Sequence, residues 1–131
     1  MSQAKRILLV DDDASFVESN KDLLEAFGYE VFTARDGQSG LQKAVEVHPD
    51  LMILDVMMAT PTEGFAVAQR IAKTPELKSM RVLMVTGAAK ALNLPGKIHP
   101  SAKWLPVDRV LEKPLDPEQL IKEVERLLKA T

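Results

Sequence analysis

The apolar positions along the chain form short runs separated by longer amphipathic stretches. Nearly unbroken apolar runs occupy residues 7–10, 51–54 and 80–86, and such runs predict strands that are buried on both faces of a parallel sheet. Weaker strand patterns lie at residues 30–34 and 107–112. Because these strands alternate with helical patterns, the chain is predicted to be an α/β protein with five parallel strands and helices on both faces.

The stretches between the strands carry signals for helix boundaries. Ser15 and Glu18 have the spacing of a capping box, and Gly28 is placed as a helix stop. A third helix is predicted over residues 65–73, and Asp116 is predicted to cap the last helix. The apolar face of that last helix consists of Leu120, Ile121, Val124, Leu127 and Leu128.

The segment before the fifth strand lacks the pattern of a full helix. It contains Pro95, Gly96 and Pro100, and proline inside a helix removes a backbone donor and clashes with the preceding turn. We therefore predict that helix 4 is short or irregular and that residues 94–106 form an irregular segment.

Carboxylates follow two strands that are predicted to be neighbours. Asp11 and Asp12 come directly after the first strand, and Asp55 ends the third. Right-handed crossovers place these strands side by side, and ligands bind outside the carboxyl ends of such strands. Three converging carboxylates repel one another unless a cation lies between them. Mg²⁺ suits this site because it binds a few carboxylates and keeps several waters.

Two further polar side chains end strands at the same predicted edge. Thr86 closes the fourth strand and Lys113 follows the fifth. Together with the acids they form a set suited to phosphoryl transfer, in which Asp55 can act as a nucleophile and form an aspartyl-phosphate. The metal and Lys113 would neutralise the phosphoryl oxygens, and Thr86 would donate a hydrogen bond to one of them.

Four motifs in sequence order resemble the receiver domain of two-component response regulators. They are VDDD at 10–13, LMILDVMM at 51–58, VLMVTG at 82–87 and LEKP at 111–114, and the resemblance extends over residues 5–128. It implies a single receiver domain over residues 1–131, of the stand-alone type, with a doubly wound flavodoxin-like sheet of order 2-1-3-4-5.

The resemblance also assigns roles to individual residues. Asp55 would be the phosphoacceptor and a metal ligand, while Asp11 and Asp12 would hold Mg²⁺ with the backbone carbonyl of Met57 as a further ligand. A histidine kinase or a histidine phosphotransfer protein would donate the phosphoryl group. The phosphorylated surface would then bind a downstream protein target, and a phosphorylation-dependent dimer is also compatible with this scheme.

Thr86 would be the switch hydroxyl and Lys113 the phosphate-binding lysine of such a domain. The family commonly has an aromatic residue three positions before that lysine, where this chain has Val110. Coupling between the threonine and an aromatic side chain is therefore not expected in its usual form. Phosphoryl transfer itself does not depend on that position.

Composition and charge narrow the choice of partners. The 131 residues are 46% hydrophobic and 27% charged, which is typical of a globular domain, and the net charge of −2 does not favour nucleic acid or an anionic membrane. There are no cysteines, so disulfides and zinc–thiolate sites are excluded. We expect a cytoplasmic signalling protein that is not an enzyme with an external substrate.

Two other functions are alternatives to the phosphorylation switch. In a phosphorylation-independent binding module, Asp55 and Lys113 would form a structural ion pair without further chemistry. A phosphatase with an aspartate nucleophile needs a second acid two residues later, and that position is Met57. The phosphatase is therefore rejected, and the binding module remains the alternative.

Overall fold

The computed structural model describes residues 4–55, 63–86, 107–113 and 115–129, without the side chains of 63–65 and 86. Residues 87–106, which include the segment predicted to be irregular, lie outside this part of the chain. The described strands and helices are β1 (Arg6–Val10), α1 (Ala14–Ala26), β2 (Glu30–Ala34), α2 (Gly37–Val47), β3 (Leu51–Asp55), α3 (Glu63–Ala72), a 3₁₀ helix (Pro75–Leu77), β4 (Arg81–Thr86), β5 (Arg109–Glu112) and α4 (Pro117–Lys129).

The strands form one parallel sheet of five in the order β2-β1-β3-β4-β5. This confirms the predicted doubly wound α/β arrangement. β1 and β3 are central neighbours, with Val10 opposite Leu54, so both strands end at the same level of the carboxyl edge. All five residues of β3 are buried, which is the pattern expected of a central strand covered by helices on both faces.

The two faces of the sheet carry separate hydrophobic clusters because side chains alternate along each strand. On one face, Leu8 and Met52 pack with α2 and α3. On the other, Leu9 and Ile53 pack with α1 and α4. The predicted apolar face of α4 is buried in this second cluster through Leu120, Ile121, Val124, Leu127 and Leu128.

Aspartates at the opposite, amino-terminal edge hold neighbouring strands in register. The Asp50 side chain accepts the backbone N–H of Arg6 at 2.8 Å, and the Asp108 side chain accepts that of Val82 at 2.7 Å. Arg6 is the first residue of β1 and Val82 is the second residue of β4, so each carboxylate satisfies a backbone donor near the start of an adjacent strand. Asp50 directly precedes β3 and Asp108 directly precedes β5, so both contacts tie the amino end of one strand to that of its neighbour.

The start of α1 differs from the sequence prediction. Asp13 is the N-cap, and its side chain accepts the backbone N–H groups of Ser15 and Phe16 at 3.1 and 3.2 Å. The predicted capping box of Ser15 and Glu18 is therefore wrong, because Ser15 lies inside the helix. The side chain of Asp13 takes the capping role instead.

The residue after the end of α1 needs a backbone conformation that favours glycine. Gly28 has a φ of 91°, and an added Cβ would meet nothing within 4 Å. Gly28→Ala is therefore expected to lower the free energy of unfolding by about 1 kcal/mol through backbone strain alone.

Urea denaturation of the wild type, Gly28→Ala and Gly28→Asn checks this expectation. Asparagine tolerates positive φ better than alanine does, so Gly28→Asn should lose less stability. Equal urea midpoints for Gly28→Ala and the wild type would show that a side chain at this position causes no backbone strain.

Candidate active site and metal centre

Asp11 continues the central strand β1 into the carboxyl edge. Its backbone N–H donates to the carbonyl of Ala34 at 3.1 Å, and the residue is 2% exposed. Oδ1 accepts the N–H of Asp13 at 2.9 Å, and Oδ2 accepts from Lys113 Nζ at 2.9 Å. Because both oxygens have a partner, the orientation of this carboxylate is fixed.

Asp55 ends the neighbouring strand β3 at the same level. It is 5% exposed, and the apolar strand that precedes it fixes its backbone from both faces of the sheet. Its Oδ1 lies 3.9 Å from Lys113 Nζ. A carboxylate this buried is costly unless charges of the opposite sign lie nearby, and Lys113 supplies one.

Asp12 completes a cluster of three carboxylates. One oxygen each from Asp11, Asp12 and Asp55 lies within 4.8 Å of the other two, and Asp12 is exposed while the other two are buried. Carboxylate oxygens converging over this distance are a donor set that fits a hard divalent cation. Asp12 forms the side of the cluster that faces water.

Lys113 brings an ammonium group into the acidic cluster. It follows β5 directly, and the register of Glu112 with Thr86 brings the ends of β4 and β5 to one level. The ammonium is closer to Asp11, at 2.9 Å, than to Asp55, at 3.9 Å. One positive charge offsets one of three negative charges, so the cluster keeps an excess of negative charge that a divalent cation can balance.

The remaining predicted site residues are described only in part. Thr86 ends β4 as predicted, but its side chain lies outside the described residues, as does Met57 with its carbonyl. Val110, where an aromatic residue is common in the family, is half-buried and packs against the cluster formed with α2 and α3. In the described part of the chain, all buried side-chain nitrogens and oxygens have hydrogen-bond partners.

One contact at the site was missed by the sequence analysis. The Lys113 ammonium lies 4.2 Å from the centre of the Phe16 ring. The sequence offers little to indicate this contact, since an apolar residue in the first turn of a helix usually packs against the core. Phe16 does pack against the cluster formed with α1 and α4, and it contacts the site as well.

The sheet and the acidic site at its carboxyl edge define a doubly wound α/β protein with a candidate metal centre. A family model described as the response regulator receiver domain matches residues 7–125. The chain therefore belongs to the receiver domain family of two-component response regulators. This confirms the family that the four sequence motifs indicated.

Individual relatives agree with this assignment. The DNA-binding dual master transcriptional regulator RpaA of Synechocystis is 34% identical over 128 residues, which cover 96% of this chain and 50% of that protein. The chain thus spans about half the length of the curated relatives it matches. Since RpaA is named as DNA-binding as a whole, the expectation that this chain has no nucleic-acid partner gains no support from it.

Solved structures show the same fold. The chemotaxis protein CheY4 of Vibrio cholerae superposes with a TM-score of 0.79 at 30% identity, covering 95% of this chain and 98% of that one. A CheY-like receiver domain from Methylobacillus flagellatus gives a TM-score of 0.78 at 26% identity, covering 95% and 99%. Among the described residues, no helix has the length and apolar character needed to cross a membrane.

Proposed function

We propose that the chain is a phosphorylation switch in which Asp55 accepts a phosphoryl group from a histidine kinase or a histidine phosphotransfer protein. The observation that carries this proposal is the convergence of three carboxylates, each with an oxygen within 4.8 Å of the others, beside the Lys113 ammonium. A buried acid, a metal-binding acid set and a cation are the parts that phosphoryl transfer to a carboxylate requires.

Asp55 is suited to act as the nucleophile. Its carboxylate ends a rigid buried strand, so an attacking oxygen is held in place before the phosphodonor arrives. This oxygen would attack the phosphorus of a phosphohistidine, an O–P bond would form as the N–P bond breaks, and the imidazole nitrogen would leave with the electron pair. The product is an aspartyl-phosphate.

Asp11 and Asp12, with Asp55 and the carbonyl of Met57, would hold Mg²⁺. Bound there, Mg²⁺ would offset the negative charge of the phosphoryl oxygens and of the acid cluster. Asp11 is already oriented by its bond from the Asp13 backbone N–H, so its position does not depend on the metal.

Lys113 and Thr86 would contact the phosphoryl group on its other sides. The Lys113 ammonium lies beside Asp55 and would move onto a phosphoryl oxygen attached there. Thr86, at the end of β4 next to β3, would donate a hydrogen bond from its hydroxyl to another phosphoryl oxygen. Its movement on phosphorylation would alter the nearby surface. The altered surface would bind a downstream protein target or a second copy of the chain.

Intact-mass measurement after incubation with acetyl phosphate and Mg²⁺ tests the proposal. The wild type should gain the mass of one phosphoryl group, and hydroxylamine should remove it because it cleaves acyl phosphates. Asp55→Asn, and the wild type with a chelator in place of Mg²⁺, should show no gain. An unmodified wild type would refute the proposal.

The phosphorylation-independent binding module has one observation in its favour. The ion pairs of Lys113 with Asp11 and Asp55 offset part of the buried negative charge without any phosphate. In that case the mass experiment would show no gain, and Asp55→Asn would leave binding to a protein partner unchanged.

A further inference from the structure

The Lys113 ammonium is held from three directions. Nζ lies 2.9 Å from Asp11 Oδ2, 3.9 Å from Asp55 Oδ1 and 4.2 Å from the centre of the Phe16 ring. The lysine side chain is 23% exposed, so most of its surroundings are protein. The two carboxylates attract the charge directly, and the ring covers a further side of it.

The backbone of Phe16 is fixed close to the acid pair. Its N–H donates to the side chain of Asp13 at 3.2 Å, in the cap of α1 that directly follows Asp11 and Asp12. The ring is half-buried and packs against the cluster formed with α1 and α4. The segment that carries Asp11 and Asp12 therefore also fixes the backbone of Phe16.

An aromatic ring acts on an ammonium group in a way that an aliphatic side chain of similar size does not. The face of the ring is electron-rich and attracts a cation within about 6 Å of its centre. Lysine has a flexible four-carbon stem and would otherwise occupy several rotamers. The ring also keeps water from one side of the ammonium, which donates a hydrogen bond to Asp11 on another side.

We propose that Phe16 is a positioning residue whose ring holds the Lys113 ammonium between Asp11 and Asp55, ready to bind the phosphoryl group. This inference rests on the proposed phosphorylation of Asp55. Phe16 acts through Lys113 and touches neither the phosphodonor nor the metal in this role.

The rate of phosphorylation by acetyl phosphate at saturating Mg²⁺ gives the first test. Phe16→Leu and Phe16→Met keep apolar volume without a ring face and should slow the reaction by about two- to fivefold. Phe16→Tyr keeps the ring and should restore the wild-type rate. Phe32→Leu is the matched control, because Phe32 lies under Lys43 at 5.9 Å on the opposite face of the sheet, and it should leave the rate unchanged.

NMR gives a second readout that needs no phosphorylation. The Cε–Hε resonances of Lys113 should be shifted upfield by the ring in the wild type and in Phe16→Tyr, and should return towards ordinary lysine positions in Phe16→Leu and Phe16→Met. Assignment comes from the signal that disappears in Lys113→Arg.

The outcomes separate this inference from the proposed function. Wild-type rates in both non-aromatic variants, or equal slowing in Phe16→Tyr and Phe16→Leu, would overturn the positioning role, the second by showing that Phe16 acts through packing. A wild type that is never phosphorylated would instead overturn the proposed function. In that event an unshifted Lys113 resonance would also overturn the contact with the ring, and a shifted one would uphold it.

Discussion

Replacing Lys113 with methionine is expected to slow phosphoryl transfer to Asp55 by roughly a hundredfold or more, the usual cost of losing one group that stabilises developing negative charge. Methionine keeps an unbranched apolar stem like that of lysine but lacks the ammonium that lies 3.9 Å from Asp55 and 2.9 Å from Asp11. The measurement is the rate constant of phosphorylation by acetyl phosphate at saturating Mg²⁺, followed by intact mass.

Lys43→Met is the matched control for this experiment. Lys43 also lies over an aromatic ring, that of Phe32, but on the face of the sheet formed with α2 and α3. Its replacement should leave the rate unchanged. A Lys113→Met protein that is phosphorylated as fast as the wild type would show that the ammonium takes no part in the transfer.

The same variant should respond more strongly to Mg²⁺ in its stability. Without Lys113, two buried carboxylates lose a nearby positive charge, and an unpaired buried charge destabilises a fold. A ligand that binds the native state alone stabilises it. Mg²⁺ should therefore raise the free energy of unfolding of Lys113→Met by more than that of the wild type.

Most of the sheet could be predicted from the sequence because its central strands are buried on both faces. The apolar runs located β1, β3 and β4 to within one residue at each end, since a strand covered by helices tolerates few polar residues. The convergence of Asp11, Asp12 and Asp55 followed from the same reasoning, because neighbouring parallel strands end at one edge.

Side-chain partners within the site could not be predicted in this way. The binding-module alternative paired Lys113 with Asp55, whereas the ammonium lies nearer to Asp11. Strand order fixes which backbones are close, but the direction of a long flexible side chain depends on tertiary packing. The ring of Phe16 is one such packing contact, and nothing in the spacing of the residues indicates it.

The start of α1 shows a similar limit. Three consecutive aspartates precede the helix, and any of them, or Ser15, has the chemistry of an N-cap. The cap falls on Asp13 because α1 begins at Ala14, while Asp11 is held by the sheet and by Lys113. Which of these residues caps the helix depends on where β1 ends and where α1 begins. The local spacing of the residues does not show those two boundaries.

The different roles of the three aspartates lead to a specific prediction for Mg²⁺ binding. Asp12→Asn should weaken Mg²⁺ binding by roughly tenfold or more, because the charge of the carboxylate ligands largely sets the affinity of such sites. Asp12 is exposed, so its replacement should not unfold the domain. Isothermal titration calorimetry with Mg²⁺ at about 0.15 M salt, where distant surface charges are screened, measures the change.

Asp13→Asn separates a ligand effect from a general effect of negative charge. Asp13 is adjacent to Asp12 and also exposed, but its oxygen caps α1, a role that asparagine fills equally well. This variant removes the same charge one residue away and should bind Mg²⁺ as the wild type does. Equal losses of Mg²⁺ affinity in both variants would show that these acids act only through their negative charge. Unchanged affinity in both variants would show that Asp12 is not a metal ligand.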